Sequence, residues 1–429
     1  MRILKEKKEI EAFLRLLRKR AAGIDPQIET TVRKILADVR QKGDKAVESC
    51  TRKFDRHDLP VAMKRAEIRK HAARADKEIV RALEISAGRI DDFHRKQVEK
   101  SWSFTRQGAT LGQVIRPLRR AGVYVPGGKA SYPSTVLMNV IPAQVAGVSE
   151  IALCVPTPGG EVNPYVMAAI NLLGIEEVYR IGGAQAVGAM AYGTETIGRV
   201  DKIVGPGNIF VALAKKMVFG EVDIDMIAGP SEILIVADRT ANPAFVAADM
   251  LSQAEHDEMA SSILITDSET LVEEVRRELR LQLKALKRKE IAKSSLKAFG
   301  GIIMVKKIEA AFEIANEIAP EHMEVMTEDP EQYIDLVRNA GALFLGQWTP
   351  EPIGDYSAGP NHTLPTGGTA RFSSPLGVYD FITRMSLLKF EEKGFLSLSG
   401  IVESLALVEG LDAHARTVSI RRESVKGKK

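Results

Sequence analysis

From Ala121 onward the chain repeats one pattern, a short apolar run closed by a Gly or Pro loop that opens into a helix-forming stretch. AGVYVPGG, EIALCVPTPGG, VYRIGGAQ and KIVGPGN carry it first, and SEILIVAD, SSILITD, GGIIMV and ALFLG carry it again. Apolar runs without polar alternation suit strands covered on both faces, and strands separated by helices pair in parallel. The repeat therefore predicts an α/β protein with mostly parallel sheets in two units side by side. A length of 429 residues is sufficient for both.

The flanks read differently. Residues 1 to about 100 space their apolar positions by three and four, as helices do. The opening MRILKEKKEIEAFLRLLRKR is basic and amphipathic, but Glu6, Glu9 and Glu11 and the lack of an apolar h-region separate it from a signal or transit peptide. It reads as a surface helix. His57, His71 and His94 lie among Lys and Arg and are expected in solvent. SWSFTRQGATLGQVIRPL predicts short strands with Gly turns, a connection into the next unit. QWTPEPIGDYSAGPNHTLPTGGTARFSSPLG reads as a long loop, and SLSGIVESLALVEGLDAHARTV as a helical C-terminal segment before a frayed RRESVKGKK.

Charge and cysteine content exclude several functions. Sixty Lys and Arg against 56 Asp and Glu give a net charge of +4, too even a mixture for a chain that grips a phosphate backbone, so no nucleic acid is expected. Cys50 and Cys154 are too few for a disulfide framework or a four-thiolate zinc site and suggest a reducing, cytoplasmic setting. Both read as structural. No apolar run reaches membrane-spanning length, so no membrane partner is expected.

The chemistry rests on a few positions. Gly205-Pro206-Gly207-Asn208-Ile209-Phe210 has two glycines of the dinucleotide fingerprint but Phe at the third, so a standard pyrophosphate site does not follow. Tight βα turns that need Gly for positive φ account for the loop equally well. Gln253 and His256 share a helix face, within reach of one ion. Glu321-His322 follows Pro320, Asp355 and His362 lie in the long loop, and Glu409 and His414 flank Gly410. Taken singly, each is more often a satisfied polar residue than a ligand.

Together, GVYVPGG, YPSTVLMNVIPAQVAGV, GGAQAVGAMAYGTE, VDKIVGPGN, IAGPSE, LSQAEHD, APEHME, GDYSAGPNHTLPTGGTARFSSPLGVYDF and EGLDAH make the chain resemble the histidinol dehydrogenases. The resemblance implies two incomplete Rossmann-like domains with helical N-terminal and C-terminal segments. The expected divisions are 1–20, 21–120 with 231–380, 121–230, and 381–429. It further implies a zinc-dependent oxidation of L-histidinol through L-histidinaldehyde to L-histidine with two NAD, the last step of histidine biosynthesis, in a homodimer whose C-terminal segment completes the partner's site. Gln253, His256, Asp355 and His414 match the zinc ligands, and Glu321 and His322 the acid–base pair, with a neutral His322 as base. Ser231, His362 and Glu409 match substrate contacts, joined by His322 and the four metal positions; Tyr124, Gln185 and Asn208 match NAD contacts. The competing readings are a related zinc- and NAD-dependent dehydrogenase for another small alcohol, and a nucleotide-binding α/β protein without catalysis.

Overall fold

The computed structural model describes residues 1–22, 26–127 and 132–426. The last glycine of GVYVPGG, at position 128, and the last three residues of RRESVKGKK lie outside the described residues. Along the chain the strands are β1 (Arg2–Leu4), β2 (Trp102–Arg106), β3 (Ala109–Pro117), β4 (Arg120–Tyr124), β5 (Glu150–Cys154), β6 (Glu177–Tyr179) and β7 (Lys202–Val204). They continue as β8 (Asp223–Ile224), β9 (Glu232–Ala237), β10 (Ser261–Thr266), β11 (Gly301–Met304), β12 (His322–Met326), β13 (Ala342–Leu345) and β14 (Ile382–Phe390). Two compact units are formed, residues 1–97 with 118–381, and residues 98–117 with 382–429.

The larger unit holds two wholly parallel sheets, one ordered β1-β11-β10-β9-β12-β13 and the other β6-β5-β4-β7-β8. The α/β class with mostly parallel sheets is thus what the chain adopts. Every residue of β9, β10 and β12 is buried, as covering by helices on both faces requires. Those helices show why they dock. In Glu269–Ala285, Leu271, Val272, Val275 and Leu279 fall on one stripe and are buried, while Ser268 caps the first turn by accepting from the Leu271 N–H at 3.2 Å.

Helices within 26–95 bury their apolar faces mainly against the helices that cover the five-stranded sheet: Val32, Leu36 and Val39 cluster with Ala186 and Met190, and Ile68, Leu83 and Ile90 with Val136 and Leu153. His94 corrects the expectation of solvent. It is fully buried on the stripe of Leu83 and Ile90, with its Nδ1 2.7 Å from the Ile90 carbonyl, because helical spacing outweighs the charged neighbours in sequence. Both cysteines are free, and burial pushes both thiols up.

In the smaller unit β2 and β3 form the expected hairpin, which pairs on its other side, antiparallel, with β14 along all nine residues Ile382–Phe390. The hairpin is therefore part of a sheet of its own rather than a simple connection, and the segment expected to be helical begins as a strand. Helices Glu392–Val408 and Asp412–Lys426 follow, separated by Gly410 in a left-handed conformation at φ 71°. No helix among the described residues is long and apolar enough to cross a membrane.

Candidate active site

The six-stranded sheet turns back at β9, since β10 and β11 lie to one side of it and β12 and β13 to the other. Ligands of such sheets usually bind at the carboxyl ends of the strands. Here the charged residues gather at the amino ends. Glu232 opens β9 and His322 opens β12, with His322 registered opposite Ile233. Helix Pro243–Ala254 runs back from the end of β9 and delivers Gln253 to the same edge, and the short helix Glu351–Tyr356 presents Glu351 and Asp355 one turn apart.

His322 is the hub. Its Nδ1 lies 3.0 Å from the Glu232 carbonyl oxygen and 3.1 Å from Gln253 Oε1, and its Nε2 lies 3.6 Å from Asp355 Oδ1 and 3.8 Å from Glu351 Oε1. Glu321 Oε2 accepts from the Glu232 N–H at 2.9 Å and stands 3.8 Å from His322 Nδ1. Among the described residues, His322, Glu351 and Asp355 place potential ligand atoms within 4.8 Å of one another.

Burial sets the protonation states. It pushes Glu321 up to about 7, only partly opposed by His322, and pushes Glu351 up to about 8, with Asp355 adding to the rise. Burial works to lower His322, but Glu321, Asp355 and Glu351 outweigh it and raise the imidazole to about 10. Burial likewise works to raise Asp355, yet the contact with His322 holds it at about 2. Three acidic groups converging on the ring thus hold the proton of His322 more tightly than burial alone would.

The other expected residues fall into three groups. His256, surface-open one turn beyond Gln253, has its pKa lowered by partial desolvation, and His362 Nδ1 lies 2.9 Å from the Asp355 carbonyl, its pKa lowered by burial. Ser231 precedes Glu232, and its carbonyl accepts from the Ser261 N–H at 3.0 Å. Tyr124, Gln185 and Asn208 instead line the carboxyl ends of the five-stranded sheet. Tyr124 closes β4, and its hydroxyl accepts from the Gly183 N–H at 3.1 Å. Gln185 is buried in helix Gly183–Tyr192, and Asn208 caps helix Ile209–Val218 by accepting from the Phe210 and Val211 N–H groups at 3.1 and 3.3 Å. Glu409 and His414, both exposed, belong to the smaller unit, at the end of helix Glu392–Val408 and in helix Asp412–Lys426.

Segment 361–367 links the helix Pro133–Ala146 to the edge that holds Glu232. Asn361 donates to the Met138 carbonyl at 2.6 Å in the helix after β4, Thr366 Oγ1 accepts from the Gly229 N–H at 2.5 Å, and the Gly367 N–H donates to Glu232 Oε2 at 3.2 Å.

Several residues of this site escape a reading of the sequence. Arg20, its side chain wholly buried, pairs with Glu232 and donates to the Met259 carbonyl at 2.7 Å. Glu324 lies two residues beyond His322 on the same strand face, accepts from the Glu351 N–H at 2.9 Å, and has its carboxyl pushed up by burial and by nearby Asp249. Carboxylates inside the apolar runs SEILIV and HMEVM are the signal that could have found Glu232 and Glu324. Arg20 has none, being one of many basic residues in its helix.

Parallel sheets covered by helices define an α/β protein, and a solved acetylating aldehyde dehydrogenase from Geobacillus thermoglucosidasius shares the fold alone, at 13% identity with a TM-score of 0.50 over 90% of this chain and 97% of that one. The family is narrower. The model of the histidinol dehydrogenase family matches residues 18–422, and the chain belongs to that family. It is 53% identical to a histidinol dehydrogenase of Aquifex aeolicus (strain VF5) over 97% of this chain and 98% of the relative. Identity to that of Clostridium acetobutylicum is 48%, over 96% of each. A crystal structure of histidinol dehydrogenase from Elizabethkingia anophelis superposes with a TM-score of 0.94 at 38% identity, covering 99% of both chains.

Proposed function

We propose that the protein oxidises L-histidinol through L-histidinaldehyde to L-histidine in the cytoplasm, reducing two NAD and using one zinc ion. The observation that carries this reading is the buried Glu321–His322 pair at an edge where Gln253 and Asp355 also converge.

The donor set fits zinc. His322 Nε2 is buried without a hydrogen-bond partner beside Asp355 and Glu351, which marks a polar site that the chain's own groups leave incomplete. Gln253, His256 and Asp355 bring an amide oxygen, an imidazole and a carboxylate, and His414 of a second copy would add another imidazole. Bound zinc supplies a fixed positive charge that orients the substrate's imidazole and amine. His322 stands where it can take the proton of the substrate hydroxyl, and a bound NAD would accept the hydride. Glu321, with its pKa near neutrality, then deprotonates the water that attacks the aldehyde carbon before the second hydride leaves. No thiol is needed.

NAD is assigned to the carboxyl edge of the five-stranded sheet, where Tyr124 and Asn208 stand at the exits of β4 and β7. Connections leave these neighbouring strands in opposite directions, the crevice that dinucleotides favour. A homodimer is inferred from the smaller unit, whose Ile401, Leu405 and Val408 are 58%, 60% and 87% exposed beside Glu409. In that dimer Glu409 and His414 reach the partner's site, Glu409 meeting the substrate's cationic end.

The test is stoichiometry. Purified protein given L-histidinol and excess NAD should form two NADH per histidinol consumed, with histidine as product. One NADH with accumulated aldehyde, or none, would overturn the proposal.

A further inference from the structure

Helix Ile209–Val218 is apolar except for Lys215 and Lys216, and Lys215 is buried within it. Lys215 pairs with Asp225, which follows β8, and the two side chains are 2% and 0% exposed. Asp225 Oδ1 also accepts from the Met226 N–H, and the other contacts of the pair converge on one residue. Lys215 Nζ donates to the Gly205 carbonyl at 2.9 Å, and Asp225 Oδ2 accepts from the Gly205 N–H at 2.8 Å. Both polar groups of a single peptide-flanked glycine are therefore held by one buried ion pair.

Gly205 begins the loop that ends in Asn208. It has φ 107°, and a Cβ there would stand 2.2 Å from the Tyr124 carbonyl oxygen, so this loop rests on the backbone of Tyr124 at a separation only glycine allows. Gly207 is also tight, since a Cβ would come 2.4 Å from Val211 Cγ1. A charged pair removed from water is a poor source of stability compared with apolar packing, so its contribution has to be sought in geometry. We infer that Lys215 and Asp225 are positioning residues for the cofactor, which lock the Gly205–Asn208 loop against Tyr124 so that the dinucleotide meets a preformed edge. This rests on the assignment of NAD to that edge.

The experiment titrates NAD and L-histidinol separately into the full-length protein by calorimetry, in the parent, in Asp225→Asn, and in the double variant Lys215→Met/Asp225→Leu. Asp225→Asn keeps an acceptor for the Gly205 N–H but removes the charge, and the double variant leaves no unpaired charge behind, so the two do not share one route to misfolding. Thermal unfolding and circular dichroism confirm that each is folded. The expected result is that the dissociation constant for NAD rises by about tenfold or more in the double variant and less in Asp225→Asn. Histidinol affinity stays within about twofold, and in turnover the KM for NAD rises more than kcat falls. A pair with only a structural role would lower the unfolding temperature and leave the NAD constant alone, and that outcome overturns the inference. A parent that binds no NAD overturns the cofactor assignment and the inference with it. Unchanged NAD binding in folded variants overturns the inference alone.

Discussion

The amino edge of the six-stranded sheet and the carboxyl edge of the five-stranded sheet are built from opposite materials. At the first, Glu232, Glu321, Glu324 and Glu351 crowd His322, all buried. At the second, the exits of β4 and β7 are rich in glycine and proline with one capping asparagine, and the charged pair beside them, Lys215 and Asp225, turns inward toward backbone. Carboxylates forced together by burial acquire shifted proton affinities, which is a means of moving protons. Exposed peptide groups held by tight turns offer fixed dipoles, which is a means of holding an anionic ligand without chemistry of their own. One fold type thus supplies a reacting edge and a binding edge, and variants should separate them.

The largest effect expected is from the metal. Exhaustive chelation should bring turnover to background and added Zn²⁺ restore it, while circular dichroism keeps the α/β signature because the two large cores do not depend on one ion. Full activity in metal-free protein would remove zinc from the reacting edge.

Next come the acid–base residues. His322→Asn should slow both oxidations by about 10²–10⁴-fold, whereas Glu321→Gln should spare alcohol oxidation and slow aldehyde oxidation over a similar range, followed in stopped-flow with an aldehyde trap. With Glu321 at about 7 and its ionised form acting as the base, the aldehyde step should accelerate as pH rises through neutrality and level off above it. Glu321→Gln should abolish that rise. Equal slowing of both steps would remove the division of labour.

A smaller effect belongs to the buried pair beneath the reacting edge. Arg20→Met leaves Glu232 uncompensated among carboxylates and should cost about 3–5 kcal/mol in denaturant unfolding. Adding Glu232→Gln should return most of it, and failure to do so would show that Arg20 acts through packing alone. Smallest is the binding edge. Asn208→Ala loses the cap of helix Ile209–Val218 and should cost about 1 kcal/mol of stability. Its KM for NAD should rise while that for histidinol holds, and if both move together the separation of the two edges is wrong.

The parallel sheets were legible because strands buried on both faces leave continuous apolar runs, as in ILIV and ILIT. Gln253, His256, Glu321, His322 and Asp355 were legible through their polar companions and a resemblance, and the structure brings them to one edge. Besides Arg20, Glu232 and Glu324, three things were not. Glu351 sat unnoticed because a stretch read as loop contains a short helix that carries it one turn before Asp355. The upward pull of Glu321, Asp355 and Glu351 on His322 depends on how many acidic groups face it, which spacing along the chain does not encode. β14 was hidden inside a helical expectation because ITRMSLLKF owes its strand form to the nine-residue partner β3, far away in sequence.

The register of β1 bears on the order in which the molecule can be made. Arg2, Ile3 and Leu4 pair with Gly301, Ile302 and Ile303, so the edge of the six-stranded sheet joins the start of the chain to a strand that emerges about 300 residues later. The five-stranded sheet needs nothing beyond Ile224 for its own pairing. On a ribosome adding about 5–20 residues per second, β1 waits some 15–60 s for its partner. During that wait Ile3 and Leu4, with Phe13 and Leu14 of the following helix, have no sheet to cover. The charges of KEKKEIE beside them keep this stretch hydrated until the sheet arrives. Closing so long a loop carries an entropic cost that the pairing of β4 with β5 does not, and Arg20 of the same N-terminal helix can meet Glu232 only after β9 has been made.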